Sequence, residues 1–475
     1  MTAVEPFLTS MGGPRLHDPV LVEPGDAAGV AAHRRLRRAA FVADQGLFAD
    51  HDLDVVDDDP ATTVLVARRH DDGAVLGGVR VHPHDGHGGL GWWRGSRLVV
   101  DPGAERGVGA RLVRAATALA EDRGAVRFDA TVQADKEAFF ARLGWTTLDR
   151  TTVAGAPHVL MLGPGDRLAR AVADKAPLGR LVGDLVPGGA GWVGDDAAPV
   201  PGAALVAACD AITPAMVERD PEWAGWCAVL VNVNDLAAMG AVPVGLLDAV
   251  AGRSEEHVAA VLRGIRAAAE AYGLPVLGGH TQVGQHGALA VTALGATDDP
   301  VPGGGGRPGD VVHLVADLGG GWRPGHAGRQ WDSTTHRRPR ELRELVGTLA
   351  RHRPAAAKDV SMAGLVGTLA MLAEASGTGA ELDVAGVPRP EGAAMADWLT
   401  CFPGFALLTA DRPGATPPSS PRATTAPVGR LTAPSPAGAV SLVWPDGRRT
   451  LAVAAPATGL GPAAAVPPPT EEALR

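Results

Sequence analysis

The stretch Asn232-Val-Asn-Asp-Leu-Ala-Ala-Met-Gly-Ala-Val-Pro243 decides the fold of the larger part of this chain. Helical spacing places an apolar stripe on one side and brings Asn232 and Asp235 together on a neighbouring face, one turn apart. Asn and Asp are poor residues for the middle of a helix, and burying them without partners is costly. The stretch therefore predicts a helix that binds a metal ion or a polar ligand.

Further carboxylates and glycines occur on both sides of this helix. Asp195 and Asp196 follow Gly194, Asp210 ends a predicted strand over 206–209, and Gly278-Gly279-His280-Thr281 follows a short strand over 275–277. A role in turns and caps would explain any one of these aspartates. Together with Asp235 they make four aspartates in this order, which fit a magnesium–nucleotide site better, because Mg²⁺ prefers carboxylate oxygens and bridges phosphate oxygens.

These motifs, in this order and spacing, resemble the aminoimidazole ribonucleotide (AIR) synthase superfamily over residues 174–455. The resemblance implies two α/β domains, 166–302 and 303–455, which use ATP and Mg²⁺ to phosphorylate an oxygen or activate a carbonyl of a small metabolite. It also implies a homodimer in which paired N-terminal domains close a β-barrel. The implied magnesium ligands are Asp195, Asp196, Asp210 and Asp235. The implied ATP-site residues are Gly194, Asn232, Asp235, Gly279, His280 and Asp359, the last from the motif that begins at Lys358.

The substrate stays open because the chain departs from each superfamily member considered. Thiamine-monophosphate kinase has Ser-Asp-Gly where this chain has Ser361-Met362-Ala363. Selenophosphate synthetase has a reactive cysteine or selenocysteine that has no counterpart around Lys175. The hydrogenase maturation factor ends in cysteine, whereas this chain ends in Arg475.

The first third of the chain predicts a different site. Two β-rich runs, 62–69 and 74–82, are followed by a strand over 97–100 that leads into Glu105-Arg106-Gly107-Val108-Gly109-Ala110 and a helix. The free N–H groups and the positive dipole at such a helix start suit a pyrophosphate. Gly-x-Gly alone is weak support, because glycines in turns usually serve only the backbone geometry.

Strand, Arg-Gly-x-Gly-Ala helix, strand, and a helix ending Phe-Phe-x-x-Leu-Gly-Trp together resemble the GNAT acetyltransferases over residues 15–165. Residues 41–48 and 157–161 are similar to a subgroup associated with nitrogen starvation. The resemblance implies that an N–H of Val99 or Val100 binds the thioester carbonyl of acetyl-CoA. The remaining implied acetyl-CoA residues are Arg106, Gly107, Val108, Gly109 and Ala110.

The sequence offers several candidates for the catalytic groups of this first domain. Phe140 occupies the position of the general-acid tyrosine of the family and has no proton to donate. Candidates for the general base are Asp101, Glu105 and His82, each of which also has an ordinary role as a turn cap, a helix-start acid or a strand-end histidine.

Composition excludes several classes of protein. The net charge of −10 and the absence of a basic cluster argue against a nucleic-acid partner. No long apolar run predicts a membrane span, and the three scattered cysteines predict neither zinc nor disulfides, so we expect a cytoplasmic protein. Only three lysines are present and no Walker-type loop exists, so phosphate would be bound by backbone amides, arginines and metal.

The sequence thus predicts an α/β (α+β) protein: a GNAT mixed-sheet domain (1–165, with a loose leader over 1–17), two α/β domains of an AIR synthase-like module, and a flexible tail over 456–475. The predicted function is an acetyl-CoA-dependent N-acetyltransferase, acting on a small amine, fused to an ATP- and magnesium-dependent kinase or synthetase. Two alternatives remain at this point: an acetyl-CoA sensor that regulates the ATP-dependent module, and a degenerate dimerisation scaffold that carries an acetyltransferase.

Overall fold

The computed structural model describes residues 20–84, 86–185, 188–189, 191–434, 436–454 and 456–463. The predicted leader, 1–17, and residues 464–475 of the predicted tail lie outside this range. The chain forms two compact units, Met1–Gly165 and Asp166–Arg475.

The first unit is built on a seven-stranded mixed sheet with the strand order β1-β2-β3-β4-β5-β7-β6. Its strands are β1 (Val20–Pro24), β2 (Thr63–Arg69), β3 (Val75–Pro83), β4 (Trp92–Val100), β5 (Arg127–Gln133), β6 (Thr146–Val153) and β7 (Ala156–Leu162). Its α-helices are α1 (Ala27–Arg37), α2 (Val108–Asp122) and α3 (Glu137–Ala141), and a π-helical turn, Arg38–Asp44, continues α1. The predicted hairpin of β2 and β3 is confirmed.

The two faces of this sheet are covered by different helices. A Cβ at Gly77 would meet Leu112 of α2, whereas a Cβ at Gly78 would meet His33 of α1. Because neighbouring residues of a strand point to opposite faces, α2 and α1 lie on opposite sides of β3. Val79 and Val81 therefore join the apolar core on the α2 side, and Arg80 and His82 point to the α1 side.

The second unit contains a five-stranded and a seven-stranded sheet, with orders β11-β10-β12-β9-β8 and β16-β18-β13-β19-β17-β20-β21. The strands of the first are β8 (Ala198–Pro199), β9 (Leu205–Ile212), β10 (Val242–Gly252), β11 (Val276–Val283) and β12 (Ala288–Ala296). Those of the second are β13 (Val311–Ala316), β16 (Ala356–Asp359), β17 (Gly379–Asp383), β18 (Ala406–Asp411), β19 (Thr424–Thr432), β20 (Val440–Val443) and β21 (Arg449–Val453). A separate hairpin pairs β14 (Gly321–Trp322) with β15 (Trp331–Asp332).

The helices of the second unit are α4 (Arg167–Ala173), α5 (Leu178–Val182), α6 (Pro214–Arg219), α7 (Pro221–Ala238), α8 (Glu255–Tyr272), α9 (Pro339–Val346), α10 (Gly364–Ala375) and α11 (Met395–Trp398). The helix predicted from the opening stretch is α7. It is buried on all sides from Cys227 to Ala238, because it contacts α8, β9 and β12 of one sheet, and β16 and β18 of the other. A single apolar core consequently runs from Val206 through α7 to Leu407.

Two expectations from the sequence are corrected by these elements. The strand predicted over 275–277 continues to Val283, so Gly278-Gly279-His280-Thr281 lies within β11 and does not form a turn. Residues 456–463 are also not a free tail. The buried Glu374 carboxylate accepts hydrogen bonds from the N–H groups of Thr458 and Gly461, and Ala457 and Ala463 are buried.

Candidate functional site

Three carboxylates converge in the second unit. Ligand oxygens of Asp196, Asp235 and Asp359 all lie within 4.8 Å of one another. Asp235 comes from the buried helix α7, Asp359 ends β16, and Asp196 follows the turn at Gly194, whose φ of +75° favours glycine. The fold thus brings together residues that are more than 160 positions apart in the chain.

Lys358 and the backbone of β16 hold this cluster in place. Lys358 Nζ donates to Asp196 Oδ1 and to the carbonyl oxygen of Gly194, both at 2.7 Å. The backbone N–H of Asp359 donates to Asp196 Oδ2 at 2.8 Å. Both oxygens of Asp196 are therefore bonded, and the carboxylate is fixed towards the other two.

The electrostatics of the cluster oppose several ionised carboxylates at close range. Burial raises the pKa of Asp235 well above its usual range, and Asp359 and Asp210 raise it further. Burial likewise raises the pKa of Asp359, with Asp196 as the next cause. Burial disfavours the ammonium of Lys358, but Asp196 and Asp195 outweigh it and raise the lysine pKa. One buried cation thus faces several carboxylates, an arrangement that favours a further bound cation.

Asp195 is held apart from the three clustered carboxylates. Its Oδ2 accepts from the N–H of Gly303 at 2.9 Å, and a Cβ on residue 303 would come within 2.5 Å of Oδ1. Burial raises the pKa of Asp195 to about 7. Gly303, in the glycine run 303–306, therefore supplies a hydrogen-bond donor to the site.

Asn232 and Asp210 form the next part of this region. The Asn232 side chain accepts from the N–H of Asp210 at 3.2 Å and donates to the carbonyl oxygen of Ala228 at 2.8 Å, so it anchors β9 to α7. Asp210 lies inside β9, which continues to Ile212, and is exposed in the single chain. It is close enough to Lys175 and Asp196 for their charges to interact.

Gly279 and His280 are placed away from the aspartates within one chain. They lie on the edge strand β11, and two strands, β10 and β12, separate it from β9, which carries Asp210. A Cβ on Gly279 would come within 2.6 Å of the Asp248 carbonyl oxygen. Residue 279 is therefore glycine because β11 lies too close to β10 for a side chain at this position. His280 Nε2 lies 3.2 Å from Gln282 Nε2.

The donor set fits Mg²⁺. The cluster consists of carboxylate oxygens alone, and Asp359 Oδ2 and Asp195 Oδ1 are buried without a hydrogen-bond partner among the residues that the structure describes. Hard cations of this kind bind such oxygens. Asp196, Asp235 and Asp359 would hold the ion, which would neutralise and orient phosphate oxygens.

The first unit contains a second candidate site at the start of α2. Gly107 precedes the helix with a φ of +101°, a conformation that side chains other than glycine rarely adopt. Val108, Gly109 and Ala110 form the first turn, whose N–H groups have no acceptor within the helix. Arg106 and Glu105 are exposed next to it. This geometry provides an anion-binding helix start.

A cavity of about 720 Å³ lies beside this helix start. Parallel pairing of β4 and β5 ends at Gly95 and Ala130, so the strands separate beyond that point. A bulge interrupts the β3–β4 register between Gly78 and Arg80, and Arg97 opposite it has a φ of +54°. Val99, Val100 and Gly109 line the cavity, which brings the predicted thioester-binding strand and the helix start together.

The three base candidates lie in different environments. His82 lines the cavity and is 4% exposed, with Nδ1 at 2.9 Å from the carbonyl oxygen of Pro83 and Nε2 at 3.1 Å from Ser96 Oγ. Asp101 accepts from the N–H of Gly103 at 2.8 Å, as a turn cap does. Neither Asp101 nor Glu105 is among the residues that line the cavity. Phe140 is buried edge-on against Trp145 and Phe139.

Sequence reasoning missed several residues of both sites. Lys358 begins the motif that contains Asp359, and its position directly before that aspartate is the sequence signal for a counter-ion. Gly303 gave no signal beyond a glycine run. Ser96 and Arg80 carried no motif, and their meeting with His82 depends on strand register.

Comparison with protein families agrees with this geometry. Residues 194–297 match the N-terminal domain and residues 307–412 the C-terminal domain of AIR synthase related proteins. Residues 60–147 match the acetyltransferase (GNAT) domain. The chain belongs to the AIR synthase-related proteins and carries a GNAT domain N-terminal to its two AIR synthase-related domains. Both predicted resemblances are thereby confirmed.

Individual relatives support the same assignment. Over 241 residues the chain is 36% identical to the uncharacterized protein sll0787 of Synechocystis, a match that covers 49% of this chain and 74% of that protein. The thiamine-monophosphate kinase of Methanospirillum hungatei is 33% identical over 170 residues, which cover 35% of this chain and 58% of the kinase. The structure of T. maritima PurL complexed with ATP has a TM-score of 0.50 at 16% identity, covering 63% of this chain and 53% of PurL, and shows a shared fold.

Among the described residues, no helix combines the length and the apolar character that crossing a bilayer requires.

Proposed function

We propose that this chain is a bifunctional enzyme. Its first unit transfers the acetyl group of acetyl-CoA to a small amine, and its second unit uses ATP with Mg²⁺ to phosphorylate or activate a small metabolite. The observation that carries the second activity is the cluster of Asp196, Asp235 and Asp359, fixed by Lys358 and short of positive charge. The kinship of the second unit with thiamine-monophosphate kinases supports the choice of reaction class.

Isothermal titration of ATP in the presence and absence of Mg²⁺ tests the second activity. We expect the wild type to bind ATP only with Mg²⁺, and Asp235→Asn, which removes one ligand charge without changing side-chain volume, to lose this binding. Asp299→Asn is the matched control, because Asp299 is exposed and its side chain pairs with Arg353 on the surface. Unchanged binding by Asp235→Asn would contradict the proposed site, and a folded protein that binds no ATP would favour the scaffold alternative.

The acetyltransferase activity is supported by the cavity between β4 and β5 and the glycine-bearing start of α2. Release of CoA thiol from acetyl-CoA with a panel of small amines provides the test. Gly107→Trp places a large side chain at the helix start and at a positive φ, so we expect it to abolish acetyl-CoA binding. Gly73→Trp, in an open turn at a comparable φ, is the control.

The burial of Phe140 in an aromatic cluster favours a second candidate function for the first unit. Without a tyrosine at this position, the unit would bind acetyl-CoA as a sensor and regulate the ATP-dependent unit. Tight acetyl-CoA binding without CoA release on any amine would support the sensor, and turnover would exclude it.

The proposal includes a homodimer formed through the five-stranded sheet. The edge strand β11 is exposed along its whole length, and β10 and β11 expose apolar side chains, namely Val242, Val244, Leu247, Val276, Leu277 and Val283. An open edge with an apolar face is a surface for pairing with another sheet. Such pairing would bring the partner's β11, with its Gly-Gly-His-Thr motif, towards the aspartates.

Light scattering coupled to gel filtration tests the dimer. We expect Leu277→Glu to convert the protein to a monomer, because the charge would lie in the middle of the apolar face. Leu451→Glu is the control, since Leu451 is similarly exposed but lies on β21 of the other sheet. A dimer that survives Leu277→Glu would contradict the proposed interface.

A further inference from the structure

Ser96 and His82 form a hydrogen-bonded pair on the wall of the cavity in the first unit. Strand register places Arg80 opposite Ser96 and His82 opposite Arg94 on the same face of β3 and β4. His82 Nε2 lies 3.1 Å from Ser96 Oγ, and Arg80 Nε donates to the same oxygen at 3.2 Å. Ser96 is therefore held between a histidine and a guanidinium.

The direction of the protons in this pair follows from its partners. His82 Nδ1 lies 2.9 Å from the carbonyl oxygen of Pro83, and a carbonyl oxygen only accepts hydrogen bonds. Nδ1 therefore carries the proton of the neutral ring, and Nε2 is left as an acceptor. Because Arg80 is also a donor to Ser96 Oγ, the hydroxyl proton of Ser96 points to His82 Nε2.

The charge state of His82 agrees with this tautomer. Burial lowers the pKa of His82, the bond to Pro83 raises it, and Arg80 and Arg94 on the neighbouring positions lower it further. Asp54 is the acidic group that opposes them. The imidazole is thus neutral at pH 7 and able to accept a proton.

The Ser96 hydroxyl is bonded to the acceptor nitrogen of His82 at the cavity wall. Ser96 is half-buried, lines the cavity and directly precedes the bulge at Arg97, whereas the Nε2 acceptor of His82 is already occupied by the serine hydroxyl. Val99 and Gly109, at the proposed acetyl-CoA site, line the same cavity. With Nε2 bonded to Ser96 Oγ, a proton from a group in the cavity can reach His82 through the serine hydroxyl.

We propose that Ser96 relays a proton between the acceptor amine and His82 during acetyl transfer, which rests on the acetyltransferase function proposed above. As the amine nitrogen forms its bond to the thioester carbonyl carbon, it loses a proton to Ser96 Oγ, and the Ser96 hydroxyl proton passes to His82 Nε2. The C–S bond then breaks, and the imidazolium returns the proton through Ser96 to the leaving thiolate. The products are an amide and CoA thiol, with His82 neutral again.

This relay supplies the group that Phe140 lacks. Phe140 has no ionisable proton, and the nearby Trp145 is packed against it. One relay that acts first as base and then as acid removes the need for a separate tyrosine. A hydroxyl is required at residue 96 for both steps, so threonine should substitute for serine and alanine should not.

Steady-state kinetics of CoA release, with acetyl-CoA and the amine of the panel that reacts fastest, test the relay. We expect Ser96→Ala and His82→Gln each to lower kcat by ~10²-fold or more, the typical contribution of general acid–base catalysis, with acetyl-CoA affinity within about twofold. Ser96→Thr should retain most of the activity. Because the pKa of His82 is lowered by burial, the acid-side inflection of wild-type kcat/KM should lie below the ordinary histidine value of ~6.5 and should be absent in both inactive variants.

Two controls and two contrary outcomes make the test decisive. Thr117→Ala removes a hydroxyl that donates to the Val113 carbonyl oxygen within α2, and His51→Gln replaces an exposed histidine, so both should match the wild type. A Ser96→Ala enzyme within about threefold of wild type would overturn the relay. An acetyl group found on Ser96 by mass spectrometry of acid-quenched enzyme would also overturn it, since Ser96 would then be a nucleophile.

Failure of the relay can be distinguished from failure of the acetyltransferase function. If the wild type binds acetyl-CoA but releases no CoA with any amine, the ¹⁵N signals of His82 in the full chain decide the relay. A protonated Nδ1, with an Nε2 signal that shifts in Ser96→Ala, supports the relay, and a protonated Nε2 overturns it.

Discussion

Lys358 is the residue on which the aspartate cluster depends most. It is buried, and it donates to Asp196 and to the carbonyl oxygen of Gly194. Removing one partner of a buried ion pair leaves an uncompensated charge, which is more costly than the ion pair was favourable. The three carboxylates therefore require a positive charge nearby, and Lys358 supplies it.

We predict that Lys358→Met lowers the free energy of unfolding by ~3–5 kcal/mol in the absence of metal, the usual cost of a broken buried ion pair. Added Mg²⁺ should restore part of this loss, because the ion supplies the missing charge. Urea unfolding with and without Mg²⁺ measures both effects. Lys136→Met, which removes an exposed pair with Asp135, should change stability by less than ~1 kcal/mol. Equal effects of the two variants would contradict the interpretation.

At the residue scale, we expect His33 to make the stability of the first unit depend on pH. It is fully buried, and its Nε2 donates to the carbonyl oxygen of Arg97 at the bulge in β4, at 2.9 Å. Burial lowers the pKa of His33 to about 4. The unfolded chain therefore binds a proton at His33 near pH 6.5, before the folded chain does.

The contribution of His33 to the free energy of unfolding should therefore be constant above pH ~6.5. It should fall by on the order of 3 kcal/mol as the pH drops from ~6.5 to ~4. His33→Gln keeps an N–H donor without titrating, so its loss over this range should be smaller. Hydrogen exchange of peptides from residues 20–165 in the full chain gives the measurement. His51→Gln should behave as the wild type, and a His33→Gln slope equal to that of wild type would disprove the assignment.

At the scale of elements, the close crossing of α7 and α8 positions Asp235, a candidate magnesium ligand. A Cβ on Gly264 would come within 1.9 Å of the Glu222 carbonyl oxygen, and a Cβ on Gly225 within 2.1 Å of that of Val261. Both neighbours are backbone atoms, so they cannot move without moving a helix. The two glycines thus fix the distance between the helices, and with it the depth of Asp235.

Gly264→Ala should force the helices apart. Overpacking of this kind costs ~1–3 kcal/mol or more, which exceeds the helix-propensity gain of ~1 kcal/mol from alanine. We also expect weaker Mg²⁺-dependent ATP binding, because α7 carries Asp235. Gly347→Ala, with no heavy atom near the added Cβ, is the control and should not destabilise. Thermal unfolding and ATP titration measure the two effects, and a stabilised Gly264→Ala would refute the packing argument.

At the scale of the whole molecule, two units carry two candidate sites built from different elements. If the two units act independently, Asp235→Asn should abolish ATP binding and leave CoA release unchanged. Gly107→Trp should do the reverse. A loss of ATP-dependent activity on adding acetyl-CoA, absent in Gly107→Trp, would instead show coupling and support the sensor. Titration of each ligand in the presence of the other distinguishes the two cases.

Several features followed from the sequence alone because they depend on local spacing. Short sequence patterns were enough to predict three of them: the pair Asn232 and Asp235 on one helix, the glycine turn before α2, and the order of the aspartates. The assignment of both family domains followed from these motifs. The ligand sets, the division of the second unit near residue 302 and the dimer remain predictions.

Tertiary structure alone decided which of these residues meet. The backbone N–H of Asp359 donates to the Asp196 carboxylate across more than 160 residues, and α7 is buried from Cys227 to Ala238 because two sheets and α8 enclose it. Gly279 and His280 proved to lie within an edge strand, and Ser96 met His82 through strand register. The physical reason is the same in each case: local spacing determines the face of a helix or strand, whereas long-range pairing determines what that face contacts.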